Sequence, residues 1–327
     1  MNILHGSIDT ASQSRILCDE FNRLGHRARS VSYFPGVSNL QPHYAITAHD
    51  DLPAVADWLI PQFDVFNFKF AHSLLPDFGD LERIKGEGKP IFWTFCGSDV
   101  RDFEIAKQGS QYVRVKPGYE GLRKAILDTV PKYARTVIIH DEELRPYIAG
   151  YFDDIRVVPL SFNPESIDAS KATTRDKPLI VHAPTHQGVK GTDLLMPALE
   201  KLSGEYEFDL ALLSGMPRAS VQNAISQATL VIDQLCIGSY GMLSIEAMAW
   251  GKPVVCWISE PMQEAFGSDL PIIVASPLDI EEKLRGILDN LDSLPSIGRA
   301  GQVWVDKHHN VHKNARQLCE IYAQPCD

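Results

Sequence analysis

The run from Thr229 to Val255 constrains this chain most. It joins an apolar stretch (Leu230 to Ile232), a loop bearing Gly238 and Gly241, a helical stretch around Glu246 and a second apolar stretch from Pro253 to Trp257. Both apolar stretches are too brief for helices and rich in β-branched residues, as strands covered on both faces are. Strand, glycine loop, helix and strand is the order in which open α/β domains aim a helix N-terminus at an anion. Gly238 and Gly241 permit close backbone approach to a ligand, and Glu246 stands five residues after Gly241 on the following helix.

The same alternation runs through the rest of the chain. In the first half, strands are expected at Ile3–His5, Ala28–Tyr33, Val65–Phe68, Ile91–Phe95, Val137–Ile139 and Arg156–Val158, with helices at Ser14–Leu24 and Tyr119–Tyr133. Pro159, Pro164 and the polar run Ser170–Asp176 then break the periodicity. Strands resume at Leu179–His182, Leu210–Leu213, Leu230–Asp233, Val254–Ile258 and Ile272–Ala275. The fold class is therefore α/β, with two Rossmann-like, doubly wound domains facing a cleft. The expected boundaries are residues 1–163, residues 164–310 and a closing helix, 311–327, that returns to the first domain.

A length of 327 residues suits two domains, and 44% apolar residues exclude a disordered chain. A net charge of −11 argues against general nucleic-acid binding. One segment departs from this balance: between Arg101 and Arg135 there are eight basic residues against four acids, which predicts either a basic face for an anionic partner or lipid headgroup, or a solvated helix surface. Six scattered cysteines without a Cys-x-x-Cys pair, and no leader-like or spanning apolar segment, lead us to expect a cytoplasmic protein with at most peripheral membrane contact at the inner face.

The stretch Asp233 to Val255, with Glu246-Ala-Met-Ala and Gly251-Lys-Pro-Val-Val255, resembles the donor-binding signature of retaining GT-B glycosyltransferases, especially family four. The resemblance continues in Ile3-Leu-His-Gly6, Phe95-Cys-Gly-Ser-Asp-Val-Arg101, Arg156-Val-Val-Pro-Leu160, His182-Ala-Pro-Thr185, Lys190-Gly-Thr192 and the closing segment from Trp304. It implies transfer of a sugar from a nucleotide diphosphate sugar to a saccharide or lipid-linked acceptor with retention, in polysaccharide or glycoconjugate synthesis, with no metal and no separate cofactor. It further implies that Glu246 bonds the donor ribose and Lys190 the diphosphate. Gly238 stands where the family has its first acid, Cys96 where it has a histidine, and Thr185 where many members have an arginine.

Read from the residues themselves, Lys190 lies at a loop-to-helix junction after a buried strand, placed either to neutralise a phosphate or simply to face solvent. Nearby His186 is a candidate to supply part of the missing positive charge. Glu246 sits among apolar neighbours and so requires a partner, which a ribose diol supplies. The backbone of Gly238, Ser239, Tyr240 and Gly241 is a candidate phosphate cradle, with Ser239 as a helix cap. Asp99 and Arg101 are expected at the acceptor side, unless Asp99 only caps a helix from Val100. Gly6 and Arg218 are weaker candidates for donor contact, and His5, at the same strand edge, reads first as a core or turn residue. His308, His309 and His312 lack the spacing of a metal site. The departures from the family pattern keep a second reading open, a non-catalytic sugar-nucleotide sensor or scaffold. A third is a nucleotide-sugar epimerase of the same fold.

Overall fold

The computed structural model describes residues 1–33, 40–47, 49–168 and 175–324. Most of the polar run Ser170–Asp176 lies outside the described residues. The chain divides into two compact units, the first comprising residues 1–102, 116–163 and 311–327, the second residues 103–115 and 164–310. Residues 103–115 thus belong to the second unit, where sequence reasoning put them in the first.

The first unit carries a parallel sheet of seven strands: β1 (Asn2–Gly6), β2 (Arg27–Ser32), β3 (Tyr44–Ala45), β4 (Val65–Lys69), β5 (Ile91–Thr94), β6 (Thr136–Ile139) and β7 (Asp154–Val157). Their order is β3-β2-β1-β4-β5-β6-β7. Among the described residues only the two-residue edge strand β3 escaped the sequence reading, since two residues show no periodicity. The helix expected to reach Tyr133 ends at Thr129 and tightens into a 3-10 turn over Val130–Lys132, because Pro131 has no N–H to continue the ladder. The closing helix Val311–Tyr322 packs its Val311, Ala315, Leu318, Ile321 and Tyr322 against Ile3, Leu17, Phe21 and Phe92. Tyr322 is also pinned from its hydroxyl, which meets His5 Nε2 at 2.9 Å and Asn67 Nδ2 at 2.5 Å.

The second unit carries five parallel strands: β8 (Leu179–His182), β9 (Asp209–Leu212), β10 (Leu230–Ile232), β11 (Val254–Cys256) and β12 (Ile272–Val274). Their order is β12-β11-β10-β8-β9. The chain winds outward from β8 to β9, then crosses back to place β10 on the other side of β8. With right-handed crossovers, successive connections on either side of this reversal leave a crevice at the carboxyl ends of β8 and β10. Val181 and Ile232 of these two strands are fully buried, so side chains immediately beyond them are fixed by the sheet itself.

Replacing Leu318 by Ala removes a side chain buried in the core of the first unit. Urea denaturation of Leu318→Ala is expected to reveal a loss of about 2–5 kcal/mol.

Candidate functional site

The reversal of strand order brings two loops together in the second unit. Lys190 comes from the loop after β8, and Asp233 follows β10 directly. Lys190 Nζ donates to Asp233 Oδ1 at 2.8 Å and to Gln234 Oε1 at 2.6 Å. An ammonium has three donors, so these two bonds orient it and leave a third for an anion. Asp233 is fully buried, and its other oxygen accepts from the Gly241 amide at 3.0 Å and the Ser244 hydroxyl at 2.7 Å. Burial alone would raise its pKa, but the Lys190 charge and these hydrogen bonds outweigh burial and hold it below the ordinary carboxylate value.

The backbone around Lys190 is built for this placement. His182, buried at the end of β8, bonds the Ile232 carbonyl through Nδ1 and the Thr192 hydroxyl through Nε2, both at 2.9 Å. His186 Nδ1 accepts from the Val189 amide, capping the short turn Gln187–Lys190. That bond ties the imidazole to the backbone of the turn that carries Lys190. Gly191 follows with φ of +77°, and a Cβ there would lie 3.0 Å from both Cys236 Sγ and Leu235 Cβ. Only glycine takes this left-handed turn without strain while letting the two loops meet.

Arg114 braces the same region. Its amide donates to the Cys236 carbonyl at 2.9 Å, while its guanidinium reaches the Gly188 carbonyl at 2.9 Å and both oxygens of Asp193 at 2.6 and 3.0 Å. One arginine thus ties the segment before Lys190, the helix after it and the loop after Asp233.

Glu246 lies on the helix Met242–Ala249 and is 5% exposed. Its carboxylate pairs with Arg218, which opens the helix Arg218–Gln227. Burial pushes the Glu246 pKa up to about 7, with Arg218 opposing and Asp233 reinforcing the rise. Arg218 Nε is itself buried with no hydrogen-bond partner. Lys190, Asp233, Ser244, Glu246 and Arg218 therefore form one electrostatic group around the β8/β10 crevice.

Several expectations about the glycine loop require correction. The helix begins at Gly241, with no side-chain cap from that residue, and the expected role of Ser239 is taken over by Asp233, which receives the Gly241 amide and the Ser244 hydroxyl. A buried carboxylate at a helix N-terminus satisfies the orphan donors and the dipole together. The Gly241 amide is thus already committed and does not point at a ligand. Gly238, with φ of +94°, turns the chain so that its carbonyl accepts from the Ser259 amide at 2.9 Å. The Tyr240 ring is turned inward, its hydroxyl meeting His309 Nε2 at 2.9 Å and Trp304 Nε1 at 3.0 Å. A buried tyrosine hydroxyl needs such partners, which accounts for its orientation.

In the first unit, Asp99 and Arg101 are both satisfied internally. No helix starts at Val100; instead, the fully buried Asp99 carboxylate turns back to accept from the Cys96 amide at 3.0 Å and the Gly97 amide at 2.7 Å. Burial raises its pKa to about 6 against those bonds and the charge of Arg101. Arg101 forks onto Glu143, with Nε at 2.9 Å and Nη2 at 2.6 Å from its two oxygens. Burial pushes the Cys96 thiol up to about 12, so it stays protonated at neutral pH. Gly6 ends β1 where an added Cβ would lie 2.2 Å from Val31 Cγ1, so strand packing alone demands a glycine there. Beside it, β4 ends in Lys69, 2% exposed and close enough to Asp9 for their charges to interact. The three histidines do not converge: His308 stacks on Trp304, His309 meets Tyr240, and His312 pairs with Glu20 at 2.8 Å.

Neither a family model nor a curated protein matches the sequence. Solved structures do match the fold. Anabaena HepE in complex with UDP and glucose superposes with a TM-score of 0.70 at 12% identity, over 99% of this chain and 100% of that one. The chain has the fold of the GT-B glycosyltransferases. A glycosyltransferase from Rickettsia africae matches with a TM-score of 0.69 at 14% identity, over 98% of this chain and 97% of that one. Sucrose-phosphate synthase from Thermosynechococcus elongatus gives 0.62 at 14% identity, over 98% of each chain. No helix among the described residues is long and apolar enough to cross a membrane.

Two outcomes follow for the second unit. Asp233→Asn leaves the Lys190 ammonium without its buried counter-charge and is expected to destabilise by about 3–5 kcal/mol in urea titration. Because the folded Glu246 pKa of about 7 exceeds its ordinary value of 4.5, its contribution to stability is complete below pH 4.5 and is lost as pH rises through about 7. Glu246→Gln should abolish that decline in denaturation midpoints measured across this interval.

Proposed function

We propose that the protein is a glycosyltransferase that moves a sugar from a nucleotide diphosphate sugar to a hydroxyl-bearing acceptor, with retention. One observation carries this reading: an ammonium with one donor left over, Lys190, and a buried acid, Glu246, share one electrostatic group at the strand-order reversal of the second sheet. The HepE structures with UDP and with UDP-glucose support a donor of that class.

In this reading the third Lys190 donor meets the diphosphate, and Asp233 keeps it aimed there. Glu246 accepts from the ribose hydroxyls in place of Arg218, and the released guanidinium turns to a phosphate oxygen. The guanidinium thereby exchanges one anion for another, while the Glu246 carboxylate exchanges its cation for hydroxyl donors. As the bond from anomeric carbon to diphosphate oxygen breaks, its electron pair goes to that oxygen, and Lys190 stabilises the growing charge. The acceptor oxygen bonds the anomeric carbon on the face the leaving group vacates and gives up its proton to the departing diphosphate. Asp99 and Arg101 act as positioning residues that set the shape of the loop from Phe95 to Arg101. The acceptor is a saccharide or a lipid-linked sugar, in polysaccharide or glycoconjugate assembly.

A second reading, a sugar-nucleotide sensor without turnover, draws on the neutralisation of Lys190 by Asp233 and on Thr185, which adds no positive charge. Thermal shift with a panel of nucleoside diphosphates and their sugars identifies the ligand, since binding to the folded state raises stability. Transfer and hydrolysis assays with that donor then separate the readings. Lys190→Ala and Glu246→Ala should each lower turnover about tenfold or more, each losing a charge-assisted contact of about 1.5–3 kcal/mol. Unchanged kinetics in both would reject the transferase assignment, and tight binding without turnover in the unsubstituted protein would favour the sensor.

A further inference from the structure

In the basic run from Arg101 to Arg135, acids meet most of the cations: Glu143 meets Arg101, Glu104 meets Lys107, Asp193 meets Arg114, Asp102 meets Arg123 and Asp128 meets Lys124. Lys69, at the end of β4, is different. It is 2% exposed, and no other lysine or arginine among the described residues is buried as deeply. Its ammonium makes no hydrogen bond and no ion pair with a described residue. What acts on it at longer range is the Asp9 charge, together with the Cys96 and Cys18 thiols, which burial keeps protonated.

The topology gives this position its meaning. The chain winds from β1 out to β2 and β3, then crosses back to set β4 on the other side of β1. Gly6, the last residue of β1, stands opposite Phe68, so Lys69 lies at the carboxyl edge of this reversal, where open α/β sheets bind their ligands. The loop after β1 brings Asp9. Its carboxylate accepts from the Ser14 amide at 2.7 Å and the Arg15 amide at 3.1 Å, at the start of the helix Gln13–Arg23. The second unit has the same parts, a buried acid on a helix start and a lysine at the strand-order reversal, but there the two touch at 2.8 Å. In the first unit they do not. Asp9 serves the helix, and the three donors of Lys69 are left unused.

Lys69 lines a cavity of about 10 Å³ with Gln13, Asn67, Thr94, His140 and Ser161. These neighbours are bonded to groups of the protein: Gln13 to the Ser161 backbone at 2.8 and 2.7 Å, Asn67 to Tyr322 and Thr94, and His140 to the Val158 carbonyl. A space of that size admits one oxygen atom. Burying an ammonium without an acceptor is costly, so an oxygen that carries negative charge is the guest such a cavity selects most strongly. A water molecule is the plainer occupant, and it meets the donors without adding charge.

We propose that Lys69 binds an anionic oxygen of a small ligand at the β1/β4 reversal of the first sheet. The donor-side group belongs to the second unit, so this is a separate site. On the glycosyltransferase reading, on which this step rests, the oxygen belongs to the acceptor. The acceptor is then an acidic one, a sugar phosphate or a sugar carboxylate, which share this chemistry.

Calorimetry on the full chain with glucose 6-phosphate, glucuronate and glucose as probes tests the site, the first two distinguishing a phosphate from a carboxylate. At least one of the two anions should bind about tenfold or more tightly than glucose. That preference should vanish in Lys69→Met. Because Lys69→Met leaves Asp9 buried without its counter-charge, Asp9→Asn/Lys69→Met, which removes both charges, makes the same test if the single variant does not fold. In Lys190→Ala the preference should persist within about twofold, as expected of independent sites. The proposal is overturned if neither anion is preferred over glucose, if the preference survives in either folded Lys69 variant, or if Lys190→Ala abolishes it. These readouts need no sugar transfer, so their failure leaves the transferase reading standing, and a failed transfer assay leaves them interpretable.

Discussion

A single buried carboxylate organises the second unit. Asp233 is withdrawn from water at the end of β10, where an unpaired charge would be costly. It is satisfied by an ammonium, a helix N-terminal amide and a serine hydroxyl. The ammonium comes from the segment after β8 and the other two partners from the start of the helix that carries Glu246, so one residue at the end of β10 joins these two pieces of chain. The crevice left by strand order supplies the location, and Asp233 supplies the orientation.

The arrangement also defines how charge is balanced there. Lys190 with Asp233 and Arg218 with Glu246 make two ion pairs of unequal character. The first pair is backed by further hydrogen bonds, and Asp233 stays ionised. In the second, Glu246 has a pKa near neutrality and Arg218 keeps a buried Nε without a partner. The second pair is therefore the one that a polar ligand can exchange at lower cost, while the first serves as a fixed reference.

Much of the fold was legible because buried parallel strands write themselves as short β-branched runs. Eleven of the twelve strands among the described residues were anticipated, and their alternation with helices implied two parallel sheets. The site was legible only in part. Lys190, Arg218 and Glu246 stand out in sequence, and the structure groups them around one crevice. What could not be read was which group meets which: Asp233 and Lys69 look like mere ends of apolar runs, yet each is a buried titratable group. Ser239 and Tyr240 looked like ligand contacts because a glycine loop carries no mark of which way its side chains turn. Arg114 lies more than seventy residues before its partners Gly188 and Asp193, beyond the reach of any local pattern.

The division of the chain has one further consequence. Residues 103–115 are embedded in the second unit, and residues 311–324 complete the core of the first. A gene cut at the apparent linker near residue 163 would give an amino-terminal fragment lacking its covering helix and a carboxyl-terminal fragment lacking its arginine clasp. Each half cut there would lack a segment that its own unit contains, so the two units are built from one interleaved polypeptide.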